Sequence, residues 1–443
     1  MAGAKILVEA ERAIVDGRDV GPTAVLVEDG VIVQVAARGT IAADAATTRV
    51  DWADRALVPG GVNVHNHSFQ SLLRGIGDDL PFLEWRDKAL YRYSPRLGAD
   101  GLHTGALFAF GEMLLHGVTT VCDFFYINDG GNENAGAVIE AGKRLGIRTV
   151  LARCFYDWDG APASYRESIP RAVASFEALR LAYADGTRRM VDVHAAPHSL
   201  HGASRAMIEA AAGCAKDAGT PLHIHLAEEQ YQVEQSLERY KARPLHAVDA
   251  MGVLDERLVA VHGCWFDASE RALLAERRAS LAYCPNSNMF LGDGVTDVVD
   301  LVERGVRVGL GTDGGCSNSR VSVYDEMRAC ALLQKVSRVN GQAITAETCW
   351  GLGTSVGGAL LDLPVGRIAP GFRADLVALD LGDPSLWPLG ALAKNVVYSL
   401  SSRAVTDVMV DGELVVTDRQ LARVPLEEIR HRVFDLTRDW RAN

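Results

Sequence analysis

What the chain lacks narrows it first. It has no CxxC pair. Its eight cysteines, Cys122, Cys154, Cys214, Cys264, Cys284, Cys316, Cys330 and Cys349, are scattered, and Cys122 sits inside the apolar run VTTVCDFF. This predicts buried free thiols rather than disulfides or a thiolate-held metal. No stretch reaches the roughly 18 apolar residues that a membrane-spanning helix requires. Glu9, Glu11 and Arg12 interrupt the N-terminus before a signal-type apolar segment can form. Positive charge is also short: 45 Lys+Arg stand against 57 Asp+Glu, a net charge of −12, which is the wrong sign for a general nucleic-acid or anionic-membrane binder. A cytoplasmic protein without either partner is expected. What the chain does have is 48% apolar residues over a length of 443, enough for a sizeable core and too much for one small domain.

Both ends read as β-structure. KILVEA, TAVLVEDG and VIVQVAA alternate apolar and polar residues, with Asp29-Gly30 as a hairpin turn. ADLVALDL and TDVMVDGELVV repeat the texture near the C-terminus, with Asp411-Gly412 as a second turn. The middle alternates short β-branched runs with Ala/Glu/Arg/Leu-rich stretches such as 204–219 and 269–279, which read as amphipathic helices. Eight strand candidates are visible, at 57–65, 117–124, 147–153, 191–199, 221–228, 258–263, 280–288 and 306–314. The expected fold is therefore α/β: a (β/α)8 TIM-like barrel with a small β-sandwich built from both chain ends. The expected division is 1–58 and 364–421 for the sandwich, 59–363 for the barrel and 422–443 for a C-terminal helix.

In such a barrel, chemistry gathers at the C-terminal strand ends. The first strand candidate ends in His65-Asn66-His67, whose i and i+2 imidazoles share one side. The fifth carries His223, His225 and Glu228, the sixth ends at His262 and the eighth at Asp313. Imidazoles with a carboxylate suit Zn²⁺ or Fe²⁺. Taken singly, each has an ordinary alternative: a satisfied core histidine, a turn aspartate before Gly314, a solvated glutamate. Their joint occurrence at four strand ends of one βα series favours a metal site.

PGGVNVHNH, HIHLAEE, VAVHG and GLGTDGGCSN together resemble the amidohydrolase superfamily. The segments CPNSNMFLGDGV (284–295) and 312–336 are similar to its aminohydrolase branch, which holds guanine, adenosine-type and triazine deaminases. The resemblance implies one divalent ion, zinc or iron, held by His65, His67, His225 and Asp313, with Glu228 and His262 handling protons. Binuclear relatives bridge two ions with a fourth-strand lysine. VDVHAAPHS has none, and Lys143 and Lys216, the nearest on either side, fall in helical stretches.

A divalent ion lowers the pKa of bound water from about 16 toward 7. Attack on an sp² carbon bearing an amino group then needs a base for the water proton (Asp313), an acid for a ring nitrogen (Glu228) and a hydrogen bond that orients the attacking oxygen (His262). The implied reaction is hydrolytic deamination of an amino-substituted N-heterocycle. Glu84-Trp85 resembles the Glu-Trp of S-adenosylhomocysteine/5′-methylthioadenosine deaminases, whose carboxylate accepts both ribose hydroxyls. His198 in Ala-Pro-His-Ser matches that group's substrate-contacting histidine, and Arg153 and Arg166 are its candidate substrate-side arginines. Glu84 has the alternative of pairing Arg86 or Lys88 on a surface helix. Phe69-Gln70 is more like relatives acting on oxopurines, pterins or formimino compounds, where Gln70 would read an amide edge. The other open functions are thus deamination of a free oxopurine, pterin or cytosine-like base, a triazine amino- or chlorohydrolase, and a formimino hydrolase. A homo-oligomer is expected from the resemblance and from the apolar, aromatic segment VFDLTRDW (433–440).

Overall fold

The structure is a computed structural model that describes residues 5–186 and 189–440. The outermost residues of the expected terminal segments, 1–4 and 441–443, lie outside the described residues. Strands from the two chain ends meet in one nine-stranded mixed sheet. Thr48–Pro59 is the join: it runs parallel to Lys5–Val15 on one side and antiparallel to Leu376–Asp380 on the other. Both expected hairpin turns form. Asp29-Gly30 has φ of 49° and 74°, and Asp411-Gly412 has 54° and 83°, the doubly positive φ of a turn matched to strand twist.

The second sheet is parallel and made of the eight expected runs, at Gly61–His67, Val118–Phe125, Arg148–Phe155, Val191–Pro197, Leu222–Leu226, Leu258–His262, Ser280–Tyr283 and Arg307–Leu310. Each pairs with the next. The eighth run resumes as Asp313–Gly314, which pairs with Asn66–His67 of the first strand and so closes the ring. Gly311 permits that closure, since a Cβ there would lie 2.7 Å from Cβ of His65. The helix expected at 204–219 is Arg205–Ala218, capped by Ser204 and stopped by Gly219 at φ 66°. That expected at 269–279 is Ala268–Glu276, with a capping box from Asp267 and Glu270.

The strand expected at 280–288 is shorter. It ends at Tyr283, and Pro285 opens the helix Pro285–Leu291, because a proline lacks the N–H a ladder needs but fits the first helical turn. The sheet and the barrel are tied by a fully buried ion cluster. Arg148 donates to Asp375 at 3.0 and 3.1 Å and lies 3.4 Å from Asp411. All eight cysteines are free, and all but Cys264 are buried. No helix among the described residues is long and apolar enough to cross a membrane. The C-terminal helix Leu426–Thr437 lays Ile429 and Leu436 on Gly111 and Gly101 of the chain's own helix Ala99–Leu115. Trp440 packs on Tyr93, so the aromatic surface offered as a reason for oligomerisation is used within the chain, apart from the exposed Phe434.

Candidate active site

The strand ends converge. Donor atoms of His65, His67 and Asp313 lie within 4.8 Å of one another, as do those of His65, His225 and His262, and those of Glu228, His262 and Asp313. All are buried. Nε2 of His67 and of His65 stand 3.3 and 3.5 Å from Oδ1 of Asp313. Asp313 sits at φ 57° and His262 at φ 72°, the left-handed region, where a non-glycine residue costs on the order of 1–3 kcal/mol. The two residues thus leave their strands by a sharp turn of the backbone.

Hydrogen bonds on the far side of each ring set which nitrogen faces the cluster. Nδ1 of His67 lies 2.6 Å from the carbonyl of Phe124, and Nδ1 of His225 lies 2.8 Å from the carbonyl of His198. A carbonyl only accepts, so both Nδ1 atoms carry the proton and both Nε2 lone pairs point inward. Among the described residues, neither ring nitrogen of His65 has a hydrogen-bond partner, although the side chain is wholly buried. An unpaired buried imidazole is costly, and a cation among these lone pairs and the Asp313 carboxylate would satisfy it. The donor set His65, His67, His225 and Asp313 therefore fits a divalent ion. His223, two residues before His225, does not join it; it lies 3.0 Å from Nδ1 of His194.

Electrostatics separate the two acids. Burial, reinforced by Asp313, holds the Glu228 carboxyl well above the usual carboxylate range. Asp313 is pulled well below it, because His65, His67 and His262 outweigh its own burial. Two carboxyls driven apart in this way suit an acid and a base role. Burial lowers His262 to about 3 and His67 to about 4. Gln232 brackets Glu228: the amide oxygen accepts from its backbone N–H at 3.1 Å, and the amide nitrogen lies 3.4 Å from Oε2.

The acids and imidazoles line a cavity of about 60 Å³, and an outer cavity of about 460 Å³ lies against it. Arg86, His201, His225 and Tyr231 line both. Of the expected substrate-side residues, Gln70 and His198 line the inner cavity. Gln70 is tied at both ends: its nitrogen donates to Tyr126 at 2.8 Å and its oxygen faces Sγ of Cys316 at 3.3 Å.

The other three do not line either cavity. Glu84 is more than half exposed and pairs with Lys88 at 2.7 Å, because Phe82–Leu90 is helical and turns Trp85 and Arg86 inward instead. Arg153 is buried with Glu167 at 2.7 Å, away from the cavity. Arg166 points to Asp159 at 2.9 Å. Among the residues that sequence reasoning missed are four tyrosines: Tyr126 and Tyr156 follow directly on the ends of the second and third strands, and Tyr91 and Tyr165 stand beside them. Burial raises all four hydroxyls above the ordinary tyrosine value, so they face the cavity as neutral groups.

The model of the Amidohydrolase family matches residues 56–415. This chain is an amidohydrolase. Among relatives of this amidohydrolase, a protein named 5-methylthioadenosine/S-adenosylhomocysteine deaminase from Syntrophobacter fumaroxidans is 32% identical over 426 residues, covering 96% of this chain and 94% of its own. A 5′-deoxyadenosine deaminase from Methanothermobacter thermautotrophicus is 34% identical over 408 residues, 92% of each chain. The zinc-bound structure of an adenosine deaminase from Xanthomonas campestris superposes with a TM-score of 0.93 at 28% identity over 99% of both chains. Atrazine chlorohydrolase from Arthrobacter aurescens, at 23% identity and a TM-score of 0.92 over 97% of this chain and 99% of its own, shares the fold.

Proposed function

We propose that this amidohydrolase is a metal-dependent deaminase of an adenosine-type nucleoside, releasing ammonia. The observation that carries the reading is the two-part cavity. The inner space of about 60 Å³ holds little beyond the reacting edge of a ring, and the outer space of about 460 Å³ receives what the ring carries. Relatives named for 5′-substituted adenosines support it.

His65, His67, His225 and Asp313 would hold one divalent ion, zinc by analogy with the zinc-bound neighbour. When bound, that ion makes water nucleophilic at neutral pH. The chain's own groups do the rest. Asp313, held ionised, accepts the proton of the attacking water. Glu228, held in its acid form, gives a proton to the ring nitrogen next to the reacting carbon, so that charge does not build there. The proton taken by Asp313 then passes to the departing amine, which leaves as ammonia, and the second proton of the former water returns to Glu228 as the ring carbonyl forms. His262, with Nε2 3.5 Å from Glu228, donates a hydrogen bond that orients the attacking oxygen. Trp85, Tyr91, Tyr126, Tyr156 and Tyr165 exclude water from the ring.

The test is ammonia release from 5′-methylthioadenosine, 5′-deoxyadenosine, S-adenosylhomocysteine and adenosine, against adenine, guanine, cytosine, pterins and aminotriazines, together with elemental analysis. Turnover of a nucleoside with one metal equivalent is expected. Turnover of free rings alone, or of a triazine alone, overturns the nucleoside reading. Two metal equivalents overturn the single-ion site.

A further inference from the structure

His262 also faces the cluster: its ring centroid is 5.8 Å from that of His65 and 5.5 Å from that of His225, and its donor atom lies within 4.8 Å of theirs. Proximity alone makes it a candidate ligand. The difference lies on the far side of its ring. His67 and His225 turn Nδ1 toward backbone carbonyls. His262 turns Nδ1 toward the side-chain nitrogen of Asn288, 3.0 Å away, and that nitrogen also lies 3.0 Å from Oδ2 of Asp293. An amide nitrogen only donates, and its two hydrogens here meet two acceptors, a ring lone pair and a carboxyl oxygen.

We infer that Asn288 is a positioning residue that fixes the tautomer of His262. It leaves Nδ1 as the acceptor and the proton on Nε2, so His262 serves the reaction as a hydrogen-bond donor and not as a metal ligand. A nitrogen that carries a proton has no lone pair to give a cation. Nε2 faces Oε1 of Glu228 at 3.5 Å, so the donated proton points at the acid and at the space where a substrate would react.

The arrangement is built to persist. Asn288, His262 and Asp293 are each at most 1% exposed. Asn288 lies in the helix Pro285–Leu291, which Gly292 ends at φ 78°, turning the chain back so that Asp293 reaches the same amide. The backbone N–H of Asp293 donates to the carbonyl of Asn288 at 2.9 Å, and Thr296 donates to the carbonyl of His262 at 2.8 Å. Burial, with Glu228 nearby, pushes the Asp293 carboxyl up to about 10, and its acid form still keeps one oxygen for the Asn288 N–H.

The test uses the full chain with ¹⁵N-labelled histidine, metal-free and zinc-loaded, with His262→Gln to assign the resonance. In wild type, His262 is expected to show a protonated Nε2 and an unprotonated Nδ1 in both states. Asn288→Asp offers Nδ1 an acceptor in place of a donor and should move the proton to Nδ1. With that change, kcat should fall by about 10²-fold, the scale of one proton-handling group, while KM and metal content stay within about twofold. A proton on Nδ1 in the wild type overturns the inference without any variant, as does an Asn288→Asp protein that keeps the Nε2 proton and full kcat. The kcat readout rests on the proposed deaminase activity. The metal-free spectrum does not, so a wrong substrate and a wrong tautomer are told apart.

Discussion

The hydroxyl of Ser287 donates to Oδ2 of Asp313 at 2.6 Å, and this leaves Oδ1 as the oxygen that faces His65 and His67. Ser317 supports the same Oδ2 at 3.1 Å. Groups behind a metal ligand typically contribute 10–100-fold in affinity. Ser287→Ala should therefore weaken metal retention by about tenfold, read by competition with a chelator, while the circular dichroism spectrum is unchanged. Equal retention in both proteins would show that Ser317 alone suffices.

Glu228→Gln should keep the metal and lose about 10²–10⁴-fold in kcat, since general acid groups contribute on that scale. The pH dependence follows from the raised carboxyl. The active form is the protonated acid, so activity should decline as pH rises through its pKa, and that alkaline limb should be missing from the residual activity of the variant. A variant profile that keeps the limb would assign it to another group.

Arg86 and Glu84 make a second pair of tests. Arg86 lines both cavities, whereas Glu84 pairs with Lys88 on the surface. An exposed pair contributes about 0–1 kcal/mol, so Glu84→Ala should change kcat/KM by no more than about fivefold. Arg86→Ala should raise KM for substituted nucleosides more than for adenosine. A selective loss of nucleoside turnover in Glu84→Ala would mean that the helical turn at 82–90 rearranges when substrate binds.

Glu326 gives a stability test. It accepts from the N–H and side chain of Asn286 at 3.0 and 2.9 Å and from Asn318 at 2.7 Å, and burial raises its carboxyl from 4.5 to about 8. The folded state therefore holds a proton that the unfolded chain gives up, and the contribution present at low pH is lost as pH rises from near 4.5 through about 8. Urea unfolding should show a free energy that falls over this interval. Glu326→Gln should flatten the slope whatever it does to the absolute value.

The fold and the cluster of acids and imidazoles could be read from the sequence because both rest on local pattern. Apolar runs mark strands, and His65, His67, His225, His262 and Asp313 end them. The substrate side was less legible for a reason of parity. The third strand ends at Phe155, not Arg153, and side chains alternate along a strand. Arg153, two residues before that end, points to Glu167, whereas Tyr156, just past it, faces the cavity. Glu84 and Trp85 are neighbours on a helical turn, where one residue turns a side chain by about 100°, so Trp85 lines the cavity while Glu84 pairs with Lys88 outside it. His201 gave no local signal. It reaches the cavity through the loop after the fourth strand, and loop geometry is a tertiary property.

The pairing of Asp313–Gly314 with Asn66–His67 has a bearing on how the protein is made. On the ribosome, His65 and His67 emerge early, and more than half the chain must follow before Asp313 does. A nascent chain therefore displays the two imidazoles without Asp313 beside them until the ring can shut. A truncated product ending before residue 313 would lack both Asp313 and the seam that sets it against the first strand.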